Sequence, residues 1–198
     1  MVRGEAMVDT PVGGGINRYV SVNAQARHIP NGAPPIPVGL VEYIQNNIDP
    51  NDAPFLQHLS RVRVEWLDPN ANVLGNTGFE AHLAELEMRK KHKMPPGDVT
   101  IGLHPILLED EKLYVHTLAH EFLHAAGLIN HDVRHAEILN AIAPPPKLSE
   151  SSLLQSIQNQ ALAQQDVQEW DCPHCGFQWS RSTVRAPTRC PKCAKLFR

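Results

Sequence analysis

The chain has 198 residues, 42% of them hydrophobic and 20% charged, and a formal net charge of −3. That leaves room for one sizeable core and a small appendage, in the composition range of a globular protein. No run approaches the roughly 18 apolar residues of a membrane span, and MVRGEAMVDTPVGGG has no apolar signal stretch, so the expectation is a cytoplasmic protein (nuclear if the source is eukaryotic) with no membrane partner.

Residues 1–36 read as a flexible N-terminal arm. The GGG at 13–15 and PNGAPPIP at 30–37 favour loop over regular structure, and such an arm can lie over a cleft as a cover. A main folded unit is expected over 37–147. In VGLVEYIQNNI, Leu40, Val41, Ile44 and Ile48 fall at helical spacing, Asp49-Pro50-Asn51 closes that helix, and a second short helix is expected from Ala53 to Leu59. RVRVEWL, Arg61 to Leu67, alternates charged with apolar residues as a half-buried strand does. DPNANVLGNTG reads as a turn-rich connector. Phe79 to Met88 reads as strand or helix, with helix favoured because Ala, Leu and Glu dominate it, and RKKHK reads as a solvated loop or helix end. After the break at Met94-Pro95-Pro96-Gly97, DVTIGLH predicts a second strand. A strand leading into a metal-bearing helix can hold an extended substrate by backbone pairing, which makes Val99 to Leu103 the candidate for that role.

A central helix is expected to begin near Leu108 to Glu111, where Glu109, Asp110 and Glu111 suit the positive end of the helix dipole. Leu113, Val115, Leu118, Ala119, Phe122 and Leu123 supply its packing, and Gly127 stands where a left-handed residue ends a helix. Asp132 then caps a helix to Ile142, with Val133, Ile138 and Leu139 inward. A glutamine-rich stretch from Ser149 to about Gln164 predicts a helix within a linker over 148–168, and 169–198 forms a separate C-terminal piece.

Within the central helix His120, Glu121 and His124 spell H-E-x-x-H. Four residues is just over one turn, so both imidazoles fall on one face and can share a zinc ion, while Glu121 is placed to activate a zinc-bound water. A catalytic zinc takes three protein ligands and keeps one open position. His131 is assigned as the third, with His135, Glu137 and Glu150 as rivals. His116, one turn before His120, reads as a neighbour of the ligands or an ordinary part-buried histidine. The metzincin pattern fails, since its third histidine position is Asn130 and no methionine follows.

All four cysteines, Cys172, Cys175, Cys190 and Cys193, lie in the last piece as two C-x-x-C pairs separated by 14 residues, the spacing of a zinc ribbon. That piece carries Arg181, Arg185, Arg189, Lys192, Lys195 and Arg198 against Glu169 and Asp171, leaving +4 there and −7 on the preceding 168 residues. Trp179, Arg181 and Arg185 are the candidate nucleic-acid contacts, suited to base stacking and phosphate binding. The alternative is that Phe177 and Trp179 pack the ribbon's small core and the arginines are solvated.

VTIGLH, then TLAHEFLHA, a third histidine in NHDVRHAEIL and the CPHCG…RCPKC ribbon together resemble the SprT-like (Spartan-type) zinc metalloproteases, over roughly residues 98–198. A third histidine followed directly by aspartate is also similar to the related WLM peptidases, which tend to have a large aromatic where this chain has His135. The resemblance implies an α+β fold: a minigluzincin-like domain, its HExxH helix packed on a small sheet, followed by a zinc-ribbon subdomain. It further implies one catalytic and one structural Zn2+, and cleavage of proteins bound or crosslinked to DNA, with single-stranded or damaged DNA as partner. Two other expectations stay open: a non-catalytic nucleic-acid-binding adaptor with a vestigial HExxH helix, and a metal-dependent amidase of small substrates.

Overall fold

Apolar residues lie on every side of the H-E-x-x-H segment, a pattern stable only for a helix that is surrounded by protein. A computed structural model, which describes residues 28–183 and 185–197, places that helix at the centre of the fold. In chain order the elements are α1 (Leu40–Asn47), β1 (Arg63–Trp66), β2 (Gly75–Phe79), α2 (Leu83–Lys91), β3 (Val99–Leu103), α3 (Glu111–Ala125), α4 (Val133–Ile142), α5 (Ser152–Ala163), β4 (Glu169–Asp171) and β5 (Gln178–Ser180). Short 3-10 turns at Leu56–Arg61, Pro105–Glu109 and Leu148–Glu150 complete them. The result is a mixed α+β fold with a small C-terminal hairpin unit. Among the described residues no helix is long and apolar enough to cross a membrane.

Strands β1, β3 and β2 form one sheet in that spatial order, β1 parallel and β2 antiparallel to β3. Val99, Ile101 and Leu103 alternate along β3, so all three line one face of the strand and are buried in the core there. The strand order corrects the edge-strand expectation for Val99–Leu103: both edges of that strand are already paired. The edge beside α3 is β2, whose composition predicts a connector. Phe79, expected in a helix, ends β2 instead, and α2 starts four residues later.

Helix α3 lies against β2 because β2 offers almost no side chain there. A Cβ on Gly75 would stand 2.8 Å from both Glu121 Oε1 and Thr117 Cγ2. Leu113, Leu118, Phe122 and Leu123 of α3 join Ile44, Leu56, Leu59, Ile101, Leu103 and Leu107 in one core. Helix α5 adds Leu153, Leu154 and Ile157 to it, so the segment expected as linker is built into the main unit. Val133, expected inward, is 75% exposed, while Ile138 and Leu139 are buried.

The helix starts follow ordinary capping chemistry. Asp110 Oδ1 accepts from Leu113 N, Asp132 Oδ1 from His135 N, and Ser151 Oγ from Leu154 N. The Ser151 hydroxyl also donates to Asp110 Oδ2, which joins the first turns of α3 and α5. Gly127 has φ +104 and ends α3, as expected, with its amide on the His124 carbonyl.

Of the expected arm, residues 1–27 lie outside the described residues, so its reading as a cover is not addressed there. Residues 28–36 are held against the domain: Trp66 Nε1 donates to the Gly32 carbonyl at 2.9 Å and Tyr114 Oη to the Pro35 carbonyl at 2.7 Å.

Candidate metal centres

Helix α3, the turn after it and the first turn of α4 bring four histidines together. His120 and His124 come from successive turns of α3. The chain then reverses at Gly127, and His131 and His135 return to the same place from the turn and from α4. The Nε2 atoms of His120, His124 and His131 form a triangle with sides of 2.9, 3.0 and 3.1 Å. His135 offers a further ligand atom, and with His120 and His124 it makes a group whose donor atoms all lie within 4.8 Å. This group could hold a metal ion.

The tautomers suit that use. His124 Nδ1 stands 2.8 Å from the Leu128 carbonyl, which can only accept, so the proton is on Nδ1 and Nε2 presents a lone pair. Burial, reinforced by the neighbouring imidazoles, pushes His120 down to about 2. Burial first, then crowding by His135 and His131, pushes His124 down to about 3 against the opposing Leu128 bond. His135 falls to about 4, by burial and the nearness of His131, with Asp132 opposing. The rings are therefore neutral, as metal ligands must be. Lone pairs aimed at one point repel unless a cation lies between them. The donor set fits a metal of the imidazole-binding class, zinc among them.

Glu121, the residue after His120 on α3, is 1% exposed. Its Oε2 accepts from the Thr77 hydroxyl at 2.8 Å, while the buried Oε1 has no hydrogen-bond partner. Burial pushes its carboxyl up to about 7, with the Thr77 bond opposing. The other proposed ligands lie elsewhere. Glu137 is exposed and 3.9 Å from Arg134, and Glu150 pairs with Lys112 and Lys147 at the surface. His116 donates from Nδ1 to the Ala143 carbonyl at 2.7 Å, tying α3 to the end of α4. Thr77 and Gly75 do not stand out in the sequence. The available signal is the G-x-T alternation, which puts two small residues on one face of a strand.

The second cluster is Cys172, Cys175, Cys190 and Cys193, whose sulfurs all lie within 4.8 Å and could hold a metal ion. Four thiolates around one zinc stand about 3.8 Å apart along the edges of a tetrahedron. Here Cys172 and Cys193 are 3.7 Å apart and Cys175 and Cys190 3.8 Å, and all four are free thiols. The two knuckles repeat one another: Gly176 N bonds Cys172 O with φ +65, and Ala194 N bonds Cys190 O with φ +56.

Around the knuckles, Trp170 faces Trp179 across β4 and β5, and Phe197 packs edge-on to both at 5.5 and 5.4 Å. Phe177 stacks on Trp179 at 5.9 Å, so these aromatics are the ribbon's core. Arg181 lies 4.9 Å over the Trp170 ring and donates to Thr183 O, Val167 O and Gln165 Oε1. Arg185 is exposed, as are Arg189, Lys192 and Lys195. His174, also exposed, approaches the Leu196 carbonyl.

No protein-family model, curated protein or solved structure matches this chain.

Proposed function

We propose that this protein is a zinc-dependent endopeptidase of the SprT-like type, acting on proteins bound or crosslinked to DNA. The observation that carries the peptidase reading is the convergence of three imidazole Nε2 atoms within 3.1 Å around an H-E-x-x-H helix whose glutamate is buried and held by Thr77. His120, His124 and His131 would hold the catalytic zinc, and Cys172, Cys175, Cys190 and Cys193 the structural one. Zinc, when bound, supplies a Lewis acid that polarises the scissile carbonyl and acidifies water.

The chain's own residues supply the rest. Thr77 fixes Glu121 through Oε2 and leaves Oε1 to take a proton from the attacking water and deliver it to the leaving nitrogen. The outer edge of β2 has no partner strand among the described residues and runs beside Glu121, where an extended peptide can add by backbone pairing. A vestigial helix would have no reason to keep three neutral imidazoles aimed at one point, which argues against the adaptor reading.

The DNA part rests on the family resemblance and on the basic ribbon. Arg185, with Arg189, Lys192 and Lys195, provides exposed positive charge for phosphates. Arg181 and Trp179 are engaged within the ribbon and serve to present that surface. The test is proteolysis of a DNA-binding protein with and without single-stranded DNA. Wild type is expected to cleave when DNA is present, and Glu121→Gln to lose about 10²–10⁴-fold of the rate. Cleavage that persists in Glu121→Gln overturns the general-base role. Cleavage indifferent to DNA removes the DNA-bound substrate.

A further inference from the structure

Three nitrogens complete the ligand set of a catalytic zinc, yet the cluster holds four imidazoles. His135 is 3% exposed, its backbone amide is fixed by Asp132 Oδ1 at the first turn of α4, and its Nε2 is buried without a hydrogen-bond partner. A buried ring nitrogen left unpaired is destabilising unless something else engages it. Around it stand the other three rings. Its centroid is 4.7 Å from His120, 5.0 Å from His124 and 5.4 Å from His131, and those three are 4.5, 5.0 and 4.7 Å from one another. Four imidazoles bound end-on to one ion at tetrahedral corners have centroids about 5 Å apart. The six separations observed match that figure, with no pair left outside the set.

From this we propose that His135 is a fourth nitrogen donor to the same ion, so that the resting site is closed by four histidines. The proposal rests on the peptidase reading above and adds a regulatory step to it. A site with four protein donors has no open tetrahedral position, so entry of water and substrate is favoured when one donor gives way. His131 has room to do so: it is exposed and carried by a turn, whereas His120, His124 and His135 are buried and helical. The resting enzyme is therefore latent, and occupancy of the cleft competes with a histidine for the ion.

The full chain, labelled with nitrogen-15 in its histidines and loaded with cadmium-113, tests this directly. Thiolate-bound and imidazole-bound cadmium resonate far apart, so the ribbon does not interfere. Four imidazole nitrogens split by one cadmium are expected, and His135→Gln should remove one of the four while leaving the other three split. Three split nitrogens in wild type, with His135 unsplit, overturn the proposal but leave the three-histidine peptidase site standing. No imidazole-bound cadmium at all overturns both. Zinc affinity provides the second measurement: His135→Gln should weaken the histidine site by roughly a hundredfold, since loss of even an outer partner costs 10–100-fold. An unchanged affinity counts against His135 as a donor, and circular dichroism of the variant excludes misfolding as the cause of a loss.

Discussion

Two clusters of side chains that could hold a metal ion sit in one chain, and they are supported in different ways. Three of the histidines stand buried on α3 and α4, with His131 on the exposed turn between them, against a core of buried apolar residues contributed by every helix from α1 to α5 except α2, and by the central strand β3. The cysteines stand on two tight turns around four aromatic rings and two three-residue strands. A unit that small rarely folds without a staple. On the proposed reading, a metal held by the cysteines makes the fold of the ribbon, whereas the fold of the main unit makes its site. Removing metal should thus unfold one and only empty the other.

The largest expected effect follows from that contrast. Cys172→Ser removes one thiolate of a site whose binding energy is folding energy, on the order of 10–16 kcal/mol for structural zinc. Zinc per chain should fall by one, and the fluorescence of Trp170 and Trp179 should report an unfolded ribbon, while far-ultraviolet dichroism keeps the helical signal of the main unit. His120→Ala should also cost one zinc and abolish peptidase activity, but leave the main unit's melting nearly unchanged. A ribbon that stays folded after chelation, or a core that melts with His120→Ala, would erase the distinction.

Next in size is Gly75→Ala. The new Cβ meets Glu121 Oε1 and Thr117 Cγ2 at 2.8 Å, so α3 or Glu121 must move, at a cost of about 1–3 kcal/mol. Denaturant unfolding should show the loss, and activity should fall with both zinc ions retained. The smallest effect is a gain. Ala194 holds φ +56 where its counterpart in the other knuckle is Gly176, and Ala194→Gly should relieve about 1 kcal/mol of backbone strain. Competition with a chelator would register it as tighter zinc retention in the ribbon.

The parts of the fold governed by local chemistry can be read in advance. Asp132 caps α4, Gly127 stops α3 in a left-handed conformation, and β1, β3 and α3 lie within a few residues of their expected bounds. The four-cysteine cluster is likewise written in its spacing. Strand β2 is not legible, because Gly75-Asn76-Thr77-Gly78-Phe79 is poor in the β-branched residues that mark a strand; its conformation comes from pairing with β3 and from the approach of α3. The same gap sends the edge-strand role to β3. From sequence His135 is a rival to His131, because spacing along a chain cannot show that a turn and a helix deliver both rings to one point.

The bond between Ser151 and Asp110 has a mechanical consequence. Each residue caps a helix, so α3 and α5 start from one shared pivot. Helix α5 continues towards the ribbon, where Gln158 reaches Ser182 O and Arg181 straps Gln165. A pull on the ribbon therefore arrives at the first turn of α3. His120 lies nine residues beyond that turn's start, about 13 Å along the axis. Load enters the helix at one end and the histidines sit towards the other, which insulates the histidine cluster from movement of the ribbon.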